Sequence, residues 1–391
     1  MRILHNNQLD DSIIDWPVYM QRALDLAGKV LTAAPNPRVG CVIVNKQEII
    51  AEGWHEAAGL PHAEAMALEN ASTGCEGATV FVSLEPCSHH GKTGPCTDSL
   101  IAAGVKRVVI AMVDPNPRVS GNGIAKLEAA GIEVIHLLDF EPAARQLNPG
   151  YVRRFETGKP LLRLKLAMSL DGRTALANGQ SKWITSAEAR ADVQRWRAQS
   201  SAIITGSGTV LADDPQLTVR VEEMNLSESQ LLSNANCLHR QPMRVVLDSH
   251  LQSPAGARVF QGEGPVVVFT NVQTSATSND LPESVAIRTL GENQPGQGPG
   301  VNLTSVLESL AADFECNEVL LEAGPTLCGA FLKSGLLDEL VVYIAPRIFG
   351  SDARPLLNVE GIESLSETYD FSICELNQVG TDIRVILRSE S

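Results

Sequence analysis

Short apolar runs alternate with helix-like segments along almost the whole chain, and this alternation restricts the fold more than any other feature. Residues 15–30 carry apolar side chains at helical spacing, and 39–44 and 49–53 then read as two short strands. A helix at 62–71, a strand at 78–83, a helix at 97–103, a strand at 107–111, a helix at 124–130 and a strand at 133–137 continue the series. A helix between two strands returns the chain over a sheet, so the pattern predicts an α/β fold with a largely parallel sheet covered by helices.

The rhythm breaks at 141–160, EPAARQLNPGYVRRFETGKP, whose mixture of Pro, Gly and charge reads as a boundary. A second alternating series follows. It has strands at 161–167, 202–206, 245–248, 266–270, 318–321 and 339–345, helices at 186–198, 301–312 and 325–334, and closing strands near 371–374 and 383–387. Segments 222–242 and 291–300 read as surface insertions or loops. For 391 residues this implies two domains, 14–150 and 160–388.

Composition excludes several classes of function. With 31 Lys and Arg against 46 Asp and Glu, the net charge is −15, a poor basis for neutralising nucleic-acid phosphates. No stretch approaches the ~20 apolar residues of a membrane span. The start, MRILHNNQLDDSIIDW, lacks a basic segment followed by an apolar run, so the expected setting is the cytoplasm. Eight scattered cysteines do not suggest a disulfide framework. Most read as small buried apolar residues, with Cys87 and Cys96 as exceptions.

Those two cysteines belong to a metal constellation. His62 and Glu64 stand where a loop enters a helix, Cys87 follows a strand within Glu-Pro-Cys, and Cys96 follows Pro95 at a helix start. One imidazole and two thiols suit Zn²⁺, and a catalytic zinc keeps three protein ligands and an open position for water. Glu64 is placed to take a proton from that water without binding the metal, because zinc lowers the water pKa to about 7. Two other readings stay open: a structural zinc closed by His89 or His90, and no metal, with His62 a satisfied, partly buried histidine. Histidines 5, 55, 136, 239 and 250 receive no role.

His-x-Glu followed by Pro-Cys…Cys resembles the cytidine-deaminase superfamily. Eight residues, SHHGKTGP, separate the cysteines where that superfamily usually has two. The string EPCSHHGKTGPC, with PNPRVG at 35–40, is similar to the bifunctional deaminase–reductases of riboflavin biosynthesis. The resemblance implies a cytidine-deaminase-like three-layer α/β/α domain, with Asn36 on the pyrimidine and His89 and Lys92 on the ribose phosphate. A basic pair in a Gly-rich loop agrees with an anionic ligand.

In the second half, GSGT at 206–209 is a weak nucleotide signal. EAGPTLCGA at 322–330 follows a strand and opens a helix, with Gly324 permitting close backbone approach and Pro325 suiting the first turn. The N–H groups of that turn suit a phosphate, though a plain strand–loop–helix connection fits equally well. KLAMSLDG at 165–172, SKWIT at 181–185, GTVLADDP at 208–215, LTVR at 217–220 and VVLDS at 245–249 are similar to the reductases of the same pathway. That resemblance covers roughly 14–388 and implies a dihydrofolate-reductase-like α/β domain using NADPH. It implies NADPH contacts at Ala167, Trp183, Thr209, Asp213, Ser249, Gly324, Pro325, Thr326, Leu327, Cys328, Gly329 and Ala330. Substrate contacts fall on Ser181, Arg197, Leu217, Arg220 and Glu322. Arg197 and Arg220 can bind a phosphate bidentately, although an arginine on a helix is usually a solvated charge. Lys165, Asp213 and Glu322 are the candidates for polarising the sugar.

The expected chemistry is deamination of a phosphoribosylated pyrimidine in the first domain. Reduction of its ribosyl chain to ribityl in the second follows, by a homo-oligomer. The alternatives are a nucleoside or tRNA deaminase fused to a folate-type reductase, and a zinc-stabilised protein that senses NADPH without turnover.

Overall fold

The computed structural model describes residues 1–6, 15–89, 94–273, 281–291 and 300–390. The chain forms two compact units, Met1–Thr157 with Leu226–His239, and Gly158–Asn225 with Arg240–Ser391.

The first unit contains β1 (Arg2–Leu4), α1 (Trp16–Ala27), β2 (Gly40–Asn45), β3 (Glu48–Trp54), α2 (Ala63–Glu69), β4 (Thr79–Val82), α3 (Cys96–Ala102), β5 (Arg107–Ile110), α4 (Asn122–Ala129), β6 (Glu133–Leu137), α5 (Glu141–Leu147) and α6 (Pro149–Thr157). Its sheet runs β1-β6-β5-β4-β2-β3. β1, β6, β5 and β4 pair in parallel, and β2 pairs antiparallel with both β4 and β3. Alternate side chains along each strand face opposite layers. Cys41, Ile43, Val80, Val82, Val108 and Ile110 pack with α2, α3 and α4. Val42, Val44, Phe81, Val109 and Ile135 pack with α1, α5 and α6. The result is three layers, α/β/α, as the resemblance implied.

Segment 141–160 holds the division between the units, at Thr157/Gly158, but most of it is helical, forming α5 and α6 instead of a linker. Pro142 and Pro149 occupy first turns, where a missing N–H costs nothing, so they start helices. Segment 222–242 holds α9 (Glu228–Leu238). A reciprocal capping box between Ser227 and Gln230 opens it, and it clusters with the first unit.

The second unit contains β7 (Leu161–Ser169), β8 (Arg173–Ala175), α7 (Ala187–Gln199), β9 (Ala202–Gly206), α8 (Ser207–Asp213), β10 (Met243–Leu247), β11 (Val266–Thr270), β12 (Val285–Thr289), α10 (Leu303–Ala312), β13 (Glu318–Leu321), α11 (Pro325–Lys333), β14 (Glu339–Ala345), β15 (Arg354–Pro355), β16 (Phe371–Val379) and β17 (Asp382–Ser389). The main sheet runs β12-β11-β10-β9-β13-β7-β14-β17-β16. It is parallel from β12 to β14 and antiparallel across β17 and β16. One face packs on α10 and α11, the other on α7 and α8. Sequence patterning missed β12 and α8, because glycine and exposed polar residues dilute the helical signal of α8. Cys374 is exposed rather than buried.

Close packing positions the metal-bearing helix. A Cβ on Gly53 of β3 would lie 2.3 Å from the Ala63 oxygen and 2.5 Å from the Ala67 nitrogen, both in α2. Only glycine lets α2 lie directly on β3. Gly53→Ala should therefore destabilise the first unit by about 1–3 kcal/mol through over-packing and lower bound metal per chain. Thermal unfolding with metal analysis checks this, and the transition of the second unit should stay in place.

Candidate active sites

α2 begins immediately after His62, and α3 begins with Cys96. Cys87 lies beyond the end of β4, held by a backbone bond from Thr97 to the Cys87 carbonyl. These connections bring three ligand atoms together. His62 Nδ1 is 3.5 Å from Cys87 Sγ and 3.3 Å from Cys96 Sγ, and all three atoms lie within 4.8 Å of one another. Among the described residues this is the grouping that can hold a metal ion. Hydrogen bonds from Cys96 and His62 pull the Cys87 thiol well below its ordinary value, favouring the thiolate that binds zinc. One imidazole nitrogen and two sulfurs fit a three-ligand zinc. No fourth described ligand closes it: His89 is exposed, and His90 lies outside the described residues.

Glu64 is the second residue of α2, in its first turn, and is 3 % exposed. Burial, and then the Cys87 charge, push its carboxyl above the ordinary range. It is a buried acid beside the ligand cluster and outside it. Glu85, of the Glu-Pro-Cys run, is also buried and accepts hydrogen bonds from the backbone N–H groups of Asp114, Gly121, Gly123 and Ile124. This carboxylate ties the loops after β4 and β5 together. A Cβ on Gly123 would lie 2.0 Å from the Pro86 oxygen, so glycine is required there.

Asn36 is joined to the cluster through a residue that sequence reasoning passed over. Its Nδ2 lies 2.9 Å from His55 Nε2, and His55 Nδ1 lies 2.9 Å from the Pro61 carbonyl. A carbonyl accepts only, so Nδ1 carries the proton and Nε2 accepts from Asn36. Burial lowers the His55 pKa, in the direction that favours the neutral ring. The ring meets His62 edge-on at 5.1 Å. His55 therefore fixes which way the Asn36 amide faces. No local motif in GWHEAAG marks it. Of the phosphate candidates, His89 is exposed and Lys92 lies outside the described residues.

In the second unit, strand register places Glu322, next after β13, beside Lys165 of β7. Glu322 receives Nε and one terminal nitrogen of Arg197 at 2.6 and 3.0 Å, and Lys165 Nζ lies 3.2 Å from Oε2. Burial alone would raise the Glu322 pKa, but the Arg197 and Lys165 charges more than offset it and hold it at about 2. Arg197 also donates to the Thr218 carbonyl, so it is a paired interior cation and not a solvated surface charge. Of the three polarising candidates, Lys165 and Glu322 meet. Asp213 is exposed at the end of α8, and no hydrogen bond or ion pair among the described residues ties it to them.

Several of the cofactor candidates stand at the carboxyl ends of β9, β10 and β13. The Gly324 N–H donates to Thr209 Oγ1 at 3.0 Å, and Leu327 faces Gly206. Ser249 follows β10, and Ala167 lies on β7. Pro325, Thr326, Cys328, Gly329 and Ala330 occupy the first turns of α11. A Cβ on Gly329 would lie 2.1 Å from the Asn358 oxygen, so this glycine serves packing inside the protein. Trp183 is 62 % exposed, with the Arg190 guanidinium 4.5 Å from its ring centre. Ser181 precedes it in the same loop, half-buried. Leu217 is buried, and Arg220 is paired with Glu223.

Comparison with known proteins agrees with both halves. Residues 160–385 match the family described as the RibD C-terminal domain, and 16–112 match the cytidine and deoxycytidylate deaminase zinc-binding region. The chain is 48 % identical to the riboflavin biosynthesis protein RibD of Escherichia coli (strain K12), over 93 % of this chain and 97 % of that one. It is 43 % identical to the Haemophilus influenzae protein of the same name, over 94 % and 96 %. Among solved structures, Acinetobacter baumannii RibD superposes with a TM-score of 0.82 at 41 % identity, covering 95 % of this chain and 98 % of that one. A Thermotoga maritima diaminohydroxyphosphoribosylaminopyrimidine deaminase/5-amino-6-(5-phosphoribosylamino)uracil reductase superposes at 0.79 with 34 % identity, covering 96 % and 98 %.

The Glu322 cluster carries a pH signature. Its folded pKa lies below the ordinary carboxylate value, so its stabilisation is complete above about pH 4.5 and is lost as pH falls toward about 2. Glu322→Gln leaves Arg197 and the partly exposed Lys165 without their shared counter-charge and should cost the second unit about 1–3 kcal/mol near neutrality. Urea unfolding across pH should show the gap between the variant and the parent protein narrowing as the solution is acidified.

Proposed function

We propose, from the premise that this chain belongs to the RibD family of bifunctional riboflavin-biosynthesis enzymes, a division of labour between its two units and a role for each site residue. The protein is a deaminase and a reductase, with a zinc-binding deaminase region and a RibD reductase region. The first unit has the cytidine-deaminase-like fold and the second the dihydrofolate-reductase-like fold.

The first unit acts on a pyrimidine bearing a phosphoribosylamino group, 2,5-diamino-6-(5-phosphoribosylamino)pyrimidin-4-one. The meeting of His62, Cys87 and Cys96, with buried Glu64 beside them, carries this reading. Zinc, when bound by these three side chains, supplies the Lewis acidity that makes water nucleophilic near neutral pH. Glu64 takes one proton as the water oxygen bonds to the amino-bearing ring carbon, and gives it to the departing nitrogen. The C–N bond breaks, ammonia leaves, and the ring becomes the uracil. Asn36 holds the ring through the amide edge that His55 leaves free, while His89 and Lys92 hold the phosphate.

The second unit then reduces the ribosyl chain to ribityl. NADPH, when bound, supplies the hydride, and the protein supplies orientation and electrostatics. Thr209, Ser249 and the 324–330 turn form its seat, with Ala167, Trp183 and Asp213 completing it. Glu322 remains ionised throughout and is an acceptor. Lys165, 3.2 Å away, is the proton donor of that pair. Ser181, Leu217, Arg197 and Arg220 hold the substrate. Two of the five Arg197 N–H groups are left for it once Glu322 and Thr218 are served.

The free thiols of all eight cysteines fit a reducing compartment and support a cytoplasmic setting. Ile373 and Leu376, exposed on the edge strand β16, support self-association.

A coupled assay tests the assignment. Purified protein should release ammonia from the diaminopyrimidine without NADPH and oxidise NADPH once it is added. Glu64→Gln should keep zinc, lose deamination by at least about a hundredfold and still reduce the uracil intermediate. Retained deamination in that variant rules out the role given to Glu64.

A further inference from the structure

Helix α9 lies in the sequence between two stretches of the second unit, yet it clusters with the first. Its central side chain, Asn234, is 3 % exposed. Oδ1 accepts the Leu31 N–H at 2.6 Å, and Nδ2 donates to the Lys29 carbonyl at 3.1 Å and the Gln230 carbonyl at 2.8 Å. An insertion that merely filled surface would direct its polar groups to solvent. Asn234 instead pairs with a donor and an acceptor on another segment's backbone, tying the helix to the 29–31 stretch.

The segment it grips leads to Asn36. Leu31 stands five positions earlier. Between them the Ala34 N–H donates to Thr32 Oγ1 at 3.1 Å, and the Asn36 N–H donates to the Ala33 carbonyl at 3.1 Å. The same helix also touches the residue next to the other partner: Asn236 Nδ2 donates to Glu56 Oε2 at 2.8 Å, and Glu56 follows His55. Lys29 Nζ also lies 4.1 Å from the ring centre of Trp54, which precedes His55. Two anchors on one helix therefore flank the Asn36–His55 hydrogen bond.

We infer that α9, supplied by the reductase half of the sequence, is a working part of the deaminase site, and that Asn234 is a positioning residue for Asn36. The inference rests on Asn36 being a substrate contact. A deaminase fragment ending at Thr157 would lack this helix and hold Asn36 loosely. The reaction's chemistry would survive, because the metal cluster and Glu64 are held by other elements, and substrate capture would suffer.

The test uses the full chain carrying Asn234→Ala. The KM for the diaminopyrimidine should rise about tenfold, the factor that two lost net hydrogen bonds carry, with the kcat for ammonia release within about twofold. Zinc content and the reductase rate on the uracil should match the parent protein. Asn234→Asp, which keeps the acceptor for Leu31 and loses the donor for Lys29, should fall between the two. An unchanged KM, or a loss of kcat together with zinc, overturns the inference. Amide hydrogen exchange separates this from the substrate assignment. Faster exchange at Leu31 and Asn36 in Asn234→Ala supports the positioning role even if the parent protein releases no ammonia, an outcome that sinks only the substrate reading. Unchanged exchange at both amides overturns the positioning role.

Discussion

Parallel strands cannot be joined by tight turns. Each needs a crossover, and the crossovers place every loop that follows a strand at the same edge of the sheet. Both units depend on this constraint. Cys87 follows β4 and Asp114 follows the parallel neighbour β5. Gly206 ends β9, and Ser249 and Glu322 follow β10 and β13, the two strands beside it. Residues far apart in sequence meet because the topology leaves their loops nowhere else to go. Ligands of open α/β sheets bind at this edge for the same reason.

Within that frame, buried charge is tolerated only where it is answered. Arg163, on β7, lies between Glu318 of β13 and Glu339 of β14, linking three central strands away from the functional edge. Glu322 faces two cations, and Glu85 faces four backbone N–H groups. Each carboxylate loses water and regains partners fixed in direction, which turns a desolvation penalty into a constraint on geometry.

Strand periodicity and the Pro-flanked ligands were legible because they are local signals. Cys41/Ile43 and Val42/Val44 alternate on one strand, and the three zinc candidates sit at element ends that a sequence can mark. What escaped was non-local. Arg197 looks like any helical arginine until Glu322 is folded beside it. His55 has no neighbour in sequence that announces Asn36, and Asn234 belongs to a polar stretch that resembles a loop. Pro142 and Pro149 read as punctuation in the sequence and open helices in the structure, since proline's meaning depends on which turn it enters. Lys92 lies outside the described residues.

The Glu85 carboxylate has one more consequence. It orders the loops beneath Cys87 through bonds that involve no metal, and Gly123 lets Pro86 seat against the start of α4. In small zinc modules the ion supplies the order, and binding and folding are one event. Here part of the order comes from bonds between protein groups: the Glu85 carboxylate braces the loop that carries Cys87, so the ion need not supply the whole entropy of assembling its ligands. The loop beneath Cys87 is in that sense a frame built by the chain itself.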